Sequence, residues 1–362
     1  MGKRPKSELE RLRSVRVGNQ VLVLFTRQLV TLLEGGVPLV RALETLTLQE
    51  DHPEFGRVVD RLCQDISSGH RFSDALARFS AIFPQVYRVM VQIGEESGAL
   101  VASLSCLADW LERDGKLGQR IRSALTYPAF VMALACCLTL ALFLVVMPPF
   151  MAIFEEMRVE LPLLTRLVMG LTRAVAKPLC WLVFALLAAG LWRQLRGAWS
   201  DPNGKAFLFG LGLQVPLLGA ILWNGSISRF CFACEALLRS GSSLPKTLRM
   251  AAAVSGSPFL EQDREPLSET VMQGNPASEH MRAHPELYSG TLTHMTAAGE
   301  EVSRLPEMMG RAGHFHELEM ETQVETLKAA LEPVMLLAVA LLVGVILLSV
   351  FLPLYGFLNQ IE

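Results

Sequence analysis

The sequence predicts an all-α membrane protein: two duplicated cytoplasmic antiparallel helical bundles of about six helices each, plus three transmembrane helices. Three observations predict it. Residue types recur at one constant offset of 205 positions, so that Gly36 and Leu39 return as Gly241 and Leu244, and Gly69 returns as Gly274. Apolar residues recur at helical spacing throughout, with no convincing strands. Long stretches carry no charge at all: Ser123 to Phe154 over 32 residues and Pro333 to Ile361 over 29. A fixed long period is read first because it sets the architecture.

Residues 1–24 form a basic, polar N-terminal segment. Its bases stand without a following basic and aromatic patch, and the net charge is only -2, which argues against a nucleic-acid partner. The first bundle spans residues 25–122. Phe25, Leu29, Leu32, Leu33, Leu39, Leu43 and Leu46 recur at threes and fours, interrupted by Gly35-Gly36 and Pro38. That break separates two helices, and Gly36 suits the left-handed residue that ends the first. Phe55 to Ile66 reads as a third helix ending at Ser67-Ser68-Gly69. Ser73 is read as the cap of a short fourth helix through Phe79. Pro84 to Ile93 and Ala99 to Arg113 supply a fifth and sixth.

The first transmembrane helix is placed at 123–148, an external loop at 149–173, and a second transmembrane helix at 174–192. A spanning helix needs roughly 20 apolar residues. The second stretch reaches that length only if Lys177 snorkels. A cytoplasmic connector at 193–225 leads to the second bundle at 226–331. That bundle repeats the plan in more degenerate form, with Asn275-Pro276 in place of His70-Arg71 and the charges of Glu261 to Arg264 read as a loop. The third transmembrane helix is placed at 332–354 and an external tail at 355–362. Tyr127-Pro128 and Glu332-Pro333 mark where each bundle meets its span, and each proline is read as a stiff joint. Bases near the span ends (Arg113, Lys116, Arg120, Arg122, Arg193, Arg196, Lys205, Lys328) place both bundles in the cytoplasm.

Several chemistries are excluded. No phosphate-binding loop for nucleotide hydrolysis is present, and no serine-hydrolase or metalloprotease motif occurs. The spans hold no ionisable residue at their centres, which argues against an ion-coupled transporter. The seven cysteines make no disulfide pattern, and Cys231-x-x-Cys234 reads as a buried helix face. His314, His316 and Glu317 are metal-ligand types, but a solvated helix face is the stronger reading. No catalytic residue, metal or cofactor is expected. What remains is a protein that holds and positions others.

One motif attracts chemical interest: Gly94-Glu95-Glu96-Ser97-Gly98-Ala99-Leu100. Two acids end a helix, Ser97 and Gly98 turn the chain with Ser97 capping the next helix, and Leu100 re-enters the core. Its twin is Gly299-Glu300-Glu301-Val302-Ser303-Arg304-Leu305, which keeps both acids and loses the second glycine. Acids are disfavoured at a helix C-terminus by the dipole, so they call for a compensating partner. Glu95, Glu96, Glu300 and Glu301 are therefore candidate partner-docking residues. A turn with no further role is the competing reading.

The Gly35-Gly36-Val37-Pro38-Leu39 break, the acidic knuckle and its twin, and Tyr127-Pro128 and Glu332-Pro333 together resemble the type II secretion system F family, which includes the inner-membrane platform of type IV pili. The resemblance covers about residues 25 to 360. It implies a non-enzymatic, multi-pass inner-membrane platform with both bundles facing the cytoplasm. A hexameric cytoplasmic ATPase would dock below it and pilin or pseudopilin subunits would be drawn from the membrane lipid above, among other inner-membrane assembly proteins. A homo-oligomer is expected. The alternative is a membrane-bound sensor, although the Pro149 to Lys177 loop is short for an external sensing domain.

Overall fold

The computed structural model describes residues 17–49, 52–141 and 202–361, with isolated positions elsewhere. Every described element of regular structure is a helix. In the first copy these are α1 (Asn19–Glu34), α2 (Leu39–Gln49), α3 (Pro53–Ser67), α4 (Phe72–Ala77), α5 (Gln85–Ser97) and α6 (Leu100–Ala141). Helix α7 (Pro202–Gln214) comes next. The second copy comprises α8 (Leu218–Arg239), α9 (Leu244–Val254), α10 (Pro258–Met272), α11 (Ala277–Ala283), α12 (Gly290–Glu301) and α13 (Leu305–Ile361). At the 205-residue offset, α2 and α3 coincide with α9 and α10 at both ends, and α4, α5 and α6 begin where α11, α12 and α13 begin. The second copy is thus not structurally degenerate. Its Glu261 to Arg264 stretch lies inside α10 rather than in a loop, because Pro258 fits the first turn and the Ser257 hydroxyl accepts from the Leu260 N–H at 3.4 Å.

The chain divides into two compact units. One holds residues 1–119 and 212–321, and the other 120–211 and 322–362. The first unit contains both bundles. The core of its first copy is aromatic: Phe25, Phe55, Phe72, Phe79, Phe83 and Tyr87 are all buried. The Phe25 and Phe55 rings meet edge-on with centroids 5.3 Å apart, and those of Phe83 and Tyr87 lie at 5.0 Å. The two copies meet through Arg113, whose guanidinium lies 4.5 Å from the Phe232 ring centroid and 3.3 Å from Glu235. Arg229 pairs with Asp114 at 2.8 Å.

Glycine explains where the helices end. Gly36, Gly69, Gly241 and Gly274 have φ of 81°, 89°, 89° and 88°. At each, the N–H of the glycine and that of the next residue turn back onto carbonyls of the finished helix, as in Gly36 to Leu33 and Val37 to Leu32 at 3.0 Å each. These satisfy carbonyls that would otherwise lack a partner. Leu39 and Leu244 then start the next helix against the core.

The second unit contains the apolar parts of α6 and α13. Among the described residues, one helix stretch is long and apolar enough to cross a membrane, within Leu305–Val345. Thr126–Thr139 is a shorter apolar stretch, and the residues placed in the second span lie largely outside those described. Tyr127, Phe130, Leu134, Leu138, Leu336, Leu337 and Leu341 are more than half exposed, as side chains surrounded by hydrocarbon would be. At the two prolines read as stiff joints the helix runs on: Pro128 lies inside α6 and Pro333 inside α13. Each ring removes one backbone donor, a local defect that long flanking stretches of helix tolerate.

Candidate functional site

The acidic knuckles sit at the ends of α5 and α12, and the fold separates their two carboxylates. Helix α4 starts at Phe72 with no side-chain acceptor at its cap residue Arg71. Its first N–H groups therefore need a partner from elsewhere. Glu95 provides it. One carboxylate oxygen accepts from the Phe72 N–H at 2.7 Å, and the other accepts from the Ser73 N–H at 3.1 Å and the Ser73 hydroxyl at 2.6 Å. The second copy reproduces this at every position. Glu300 accepts from the Ala277 N–H at 2.7 Å, the Ser278 N–H at 3.3 Å and the Ser278 hydroxyl at 2.5 Å.

This resolves the apparent conflict of acids with a helix C-terminus. The positive end of α4 or α11 offsets the negative end of α5 or α12, and the bonds are charge-assisted. Ser73 and Ser97 have roles other than those expected. Ser73 is the second residue of α4 and donates to Glu95 rather than capping the helix itself. Ser97 ends α5 and donates to the Ile93 carbonyl at 2.8 Å. The second acid of each pair is left outside. Glu96 and Glu301 are exposed, and Glu96 accepts from the Gln92 amide at 2.8 Å.

The turn beneath each acid pair is tight. A Cβ on Gly94 would lie 2.8 Å from the Ser103 Cβ and 3.0 Å from the Leu100 Cα, and one on Gly299 would lie 2.9 Å from the Leu305 Cα. Glycine lets each helix pass this close to the next. Gly98 takes φ of 70°, and Ser303, at the same place in the second turn, takes 55°. The turn thus keeps its left-handed shape without its glycine, at a conformational cost to serine.

Two polar groupings in the second bundle were not legible as such in the sequence. His316 is buried rather than solvated. Its Nδ1 lies 2.7 Å from the Asn224 Oδ1 and its Nε2 2.8 Å from the Ser289 hydroxyl, which also caps α12 by accepting from Leu292 at 3.1 Å. Burial pulls its pKa down to about 4, so it is neutral near pH 7. Asp263, His280, His284 and Tyr288 form the other grouping. The Tyr288 hydroxyl donates to Asp263 at 2.6 Å, and burial and then that carboxylate push its pKa well up, keeping it a neutral donor. The signal that would have found this grouping is the offset itself: the corresponding residues of the first copy are Val58, Ala75, Phe79 and Phe83, all apolar. Cys231 and Cys234 are fully buried, and desolvation pushes both thiols far up, as expected of an inert helix face.

The geometry is that of a duplicated bundle carrying the same buried cap and the same exposed acid twice. The sequence model of the family described as Type II secretion system (T2SS), protein F, matches the chain in two places, residues 25–148 and 230–353. The two matches stand at the same 205-residue offset. This chain belongs to that family. Similar proteins include the type IV pilus assembly protein PilC of Thermus thermophilus, 32% identical over 95% of this chain and 84% of the relative. The PilC of Pseudomonas aeruginosa is 26% identical over 94% of this chain and 90% of its own length. The type II secretion system protein F of Xanthomonas campestris is 31% identical over 97% and 86%. The family is one of secretion and pilus machinery and is not known for catalysis.

Proposed function

We propose that this chain is the inner-membrane platform of a type II secretion or type IV pilus machine, coupling a cytoplasmic assembly ATPase to the polymerisation of pilin or pseudopilin subunits. In this reading three helices span the membrane, both bundles face the cytoplasm, and the platform works as a homo-oligomer among other inner-membrane assembly proteins. The family membership and the names of the relatives support the machine. The observation that carries the docking role is the division of labour within each knuckle. Glu95 and Glu300 are committed to capping, whereas Glu96 and Glu301 project to solvent at equivalent places in the two bundles. Two matched exposed carboxylates suit a partner presenting lysine or arginine.

The test is charge reversal confined to the outer acids. Cells carrying Glu96→Lys with Glu301→Lys should insert a folded protein, lose surface fibres or secretion, and no longer co-purify the ATPase. Normal fibre assembly with the ATPase still bound would sink the docking role. A Glu95→Gln control separates docking from folding, because it weakens the cap and leaves the outer charge in place.

A further inference from the structure

The second bundle holds three metal-ligand side chains in one place. Ligand atoms of Asp263, His280 and His284 all lie within 4.8 Å of one another. They come from α10, α11 and the residue that ends α11. The Nε2 of His280 lies 2.9 and 3.2 Å from the two Asp263 oxygens. Bonds of about 2.0–2.2 Å from nitrogen and oxygen to a tetrahedral ion set neighbouring ligand atoms about 3.3–3.6 Å apart, so the His280–Asp263 pair is close to that spacing and a modest side-chain shift would bring His284 to it.

The outer contacts point the same way. Thr270 donates its hydroxyl proton to the Pro266 carbonyl at 2.9 Å. Its oxygen, 3.2 Å from the His280 Nδ1, is therefore the acceptor there. With Nδ1 engaged there, Nε2 is the nitrogen that faces the Asp263 carboxylate, whose Oδ2 also accepts from the Tyr288 hydroxyl at 2.6 Å. His284 is held in the same manner: Glu286 lies 3.1 Å from its Nδ1, which leaves its Nε2 for the ion. Histidine ligands of zinc are typically fixed by such an acceptor on the far ring nitrogen. The site is half to fully buried, with Asp263 and His280 each only about a tenth exposed, and the first copy has Val58, Ala75 and Phe79 at these positions.

We propose that Asp263, His280 and His284 form a site for a divalent transition ion of the zinc type, with water as fourth ligand, tying α10 to α11 in the second bundle only. The ligand set of two imidazoles and one carboxylate suits zinc over calcium or magnesium, which prefer oxygen alone.

The test uses the full chain, purified in detergent without a histidine tag, stripped with a chelator and titrated with Zn²⁺ by calorimetry, with bound metal counted by elemental analysis. One ion per chain is expected. Binding should weaken on the order of 100-fold in His284→Gln, and by roughly tenfold or more in Thr270→Ala, which touches only the outer contact. A variant carrying the first copy's residues, Asp263→Val, His280→Ala, His284→Phe and Tyr288→Phe, the last because the Tyr288 hydroxyl loses its acceptor with Asp263, should fold and bind no ion. His314→Gln, which removes a histidine elsewhere on α13, should bind as the parent does. Failure of the parent to bind stoichiometric zinc, or affinity in His284→Gln or the multiple variant equal to that of the parent, would overturn the site.

Discussion

The two bundles share a backbone and differ in what fills it. The starts of the second to sixth helices of each bundle, the turns at Gly36, Gly69 and Gly98 with their counterparts, and the Glu95 and Glu300 caps agree residue for residue across the offset. The interiors do not: where the first copy buries Phe79, Phe83 and Val58, the second places His284, Tyr288 and Asp263, and where the first buries Leu111, the second buries His316. The glycine turns and the carboxylate caps were kept in both copies, although the serine caps at Ser257 and Ser289 stand where the first copy has His52 and Pro84; the core tolerated polar replacement where each new group found a partner. This is the behaviour expected of buried polar groups, which are costly alone and tolerated when satisfied. Shared and divergent features can each be perturbed singly, and hydrogen exchange on the full chain reads the two bundles separately.

The largest difference should appear in acid. An unfolded histidine takes up its proton near pH 6.5, whereas His316 resists until about pH 4. Between these values the unfolded chain binds more protons, so stability falls as the pH drops through that window, by up to about 3 kcal/mol for a gap of this size. Leu111 gives the first bundle no such term. Exchange protection of α8, α12 and the first turns of α13 should therefore collapse between pH 6.5 and 4 before that of α1 and α5. His316→Leu, which restores the residue of the first copy, should reduce the gap between the bundles. Equal acid loss in both bundles would show that His316 does not set the difference.

The caps test what the copies share. Glu95→Ala and Glu300→Ala each remove an acceptor of three hydrogen bonds and leave helix N–H groups without a partner. Each should cost about 2 kcal/mol, confined to its own bundle, with the two values alike. A marked inequality would mean that the shared geometry does not carry shared energy.

The features legible in the sequence are the local ones. The constant offset and the glycines sufficed for the helix order and for the turns at Gly36, Gly69, Gly241 and Gly274, because these depend on neighbours within a few residues. The pairing of Glu95 with Ser73, 22 residues away, was not legible, since nothing local says which of two adjacent acids turns inward. Nor was the burial of His316, whose partner Asn224 lies 92 residues earlier. His314, Glu317 and Glu319 beside it suggested a solvated face, although Ala312 and Met320, one turn away on either side, are buried. The prolines alone did not say whether the helix stops at them. Pro128 and Pro333 both lie inside continuous helices, because a long helix tolerates the loss of one backbone bond.

The smallest effect concerns the one turn where the copies disagree in residue but agree in shape. Serine at φ of 55° sits in a region that costs a side-chain-bearing residue roughly 1 kcal/mol, which glycine does not incur. Ser303→Gly should therefore stabilise the second bundle by about 1 kcal/mol or somewhat less, since glycine also has more freedom to lose from the unfolded chain. Gly98→Ser should destabilise the first bundle by a similar amount. No Cβ clash complicates the second change, because nothing lies within 4 Å of the position. The pair of exchanges makes the comparison reciprocal: equal and opposite shifts would mean that the turn shape is imposed by Gly94 and Gly299 packing against Leu100 and Leu305. A neutral Ser303→Gly would mean that the second turn has relaxed around its serine, and that the agreement in backbone shape conceals a difference in strain.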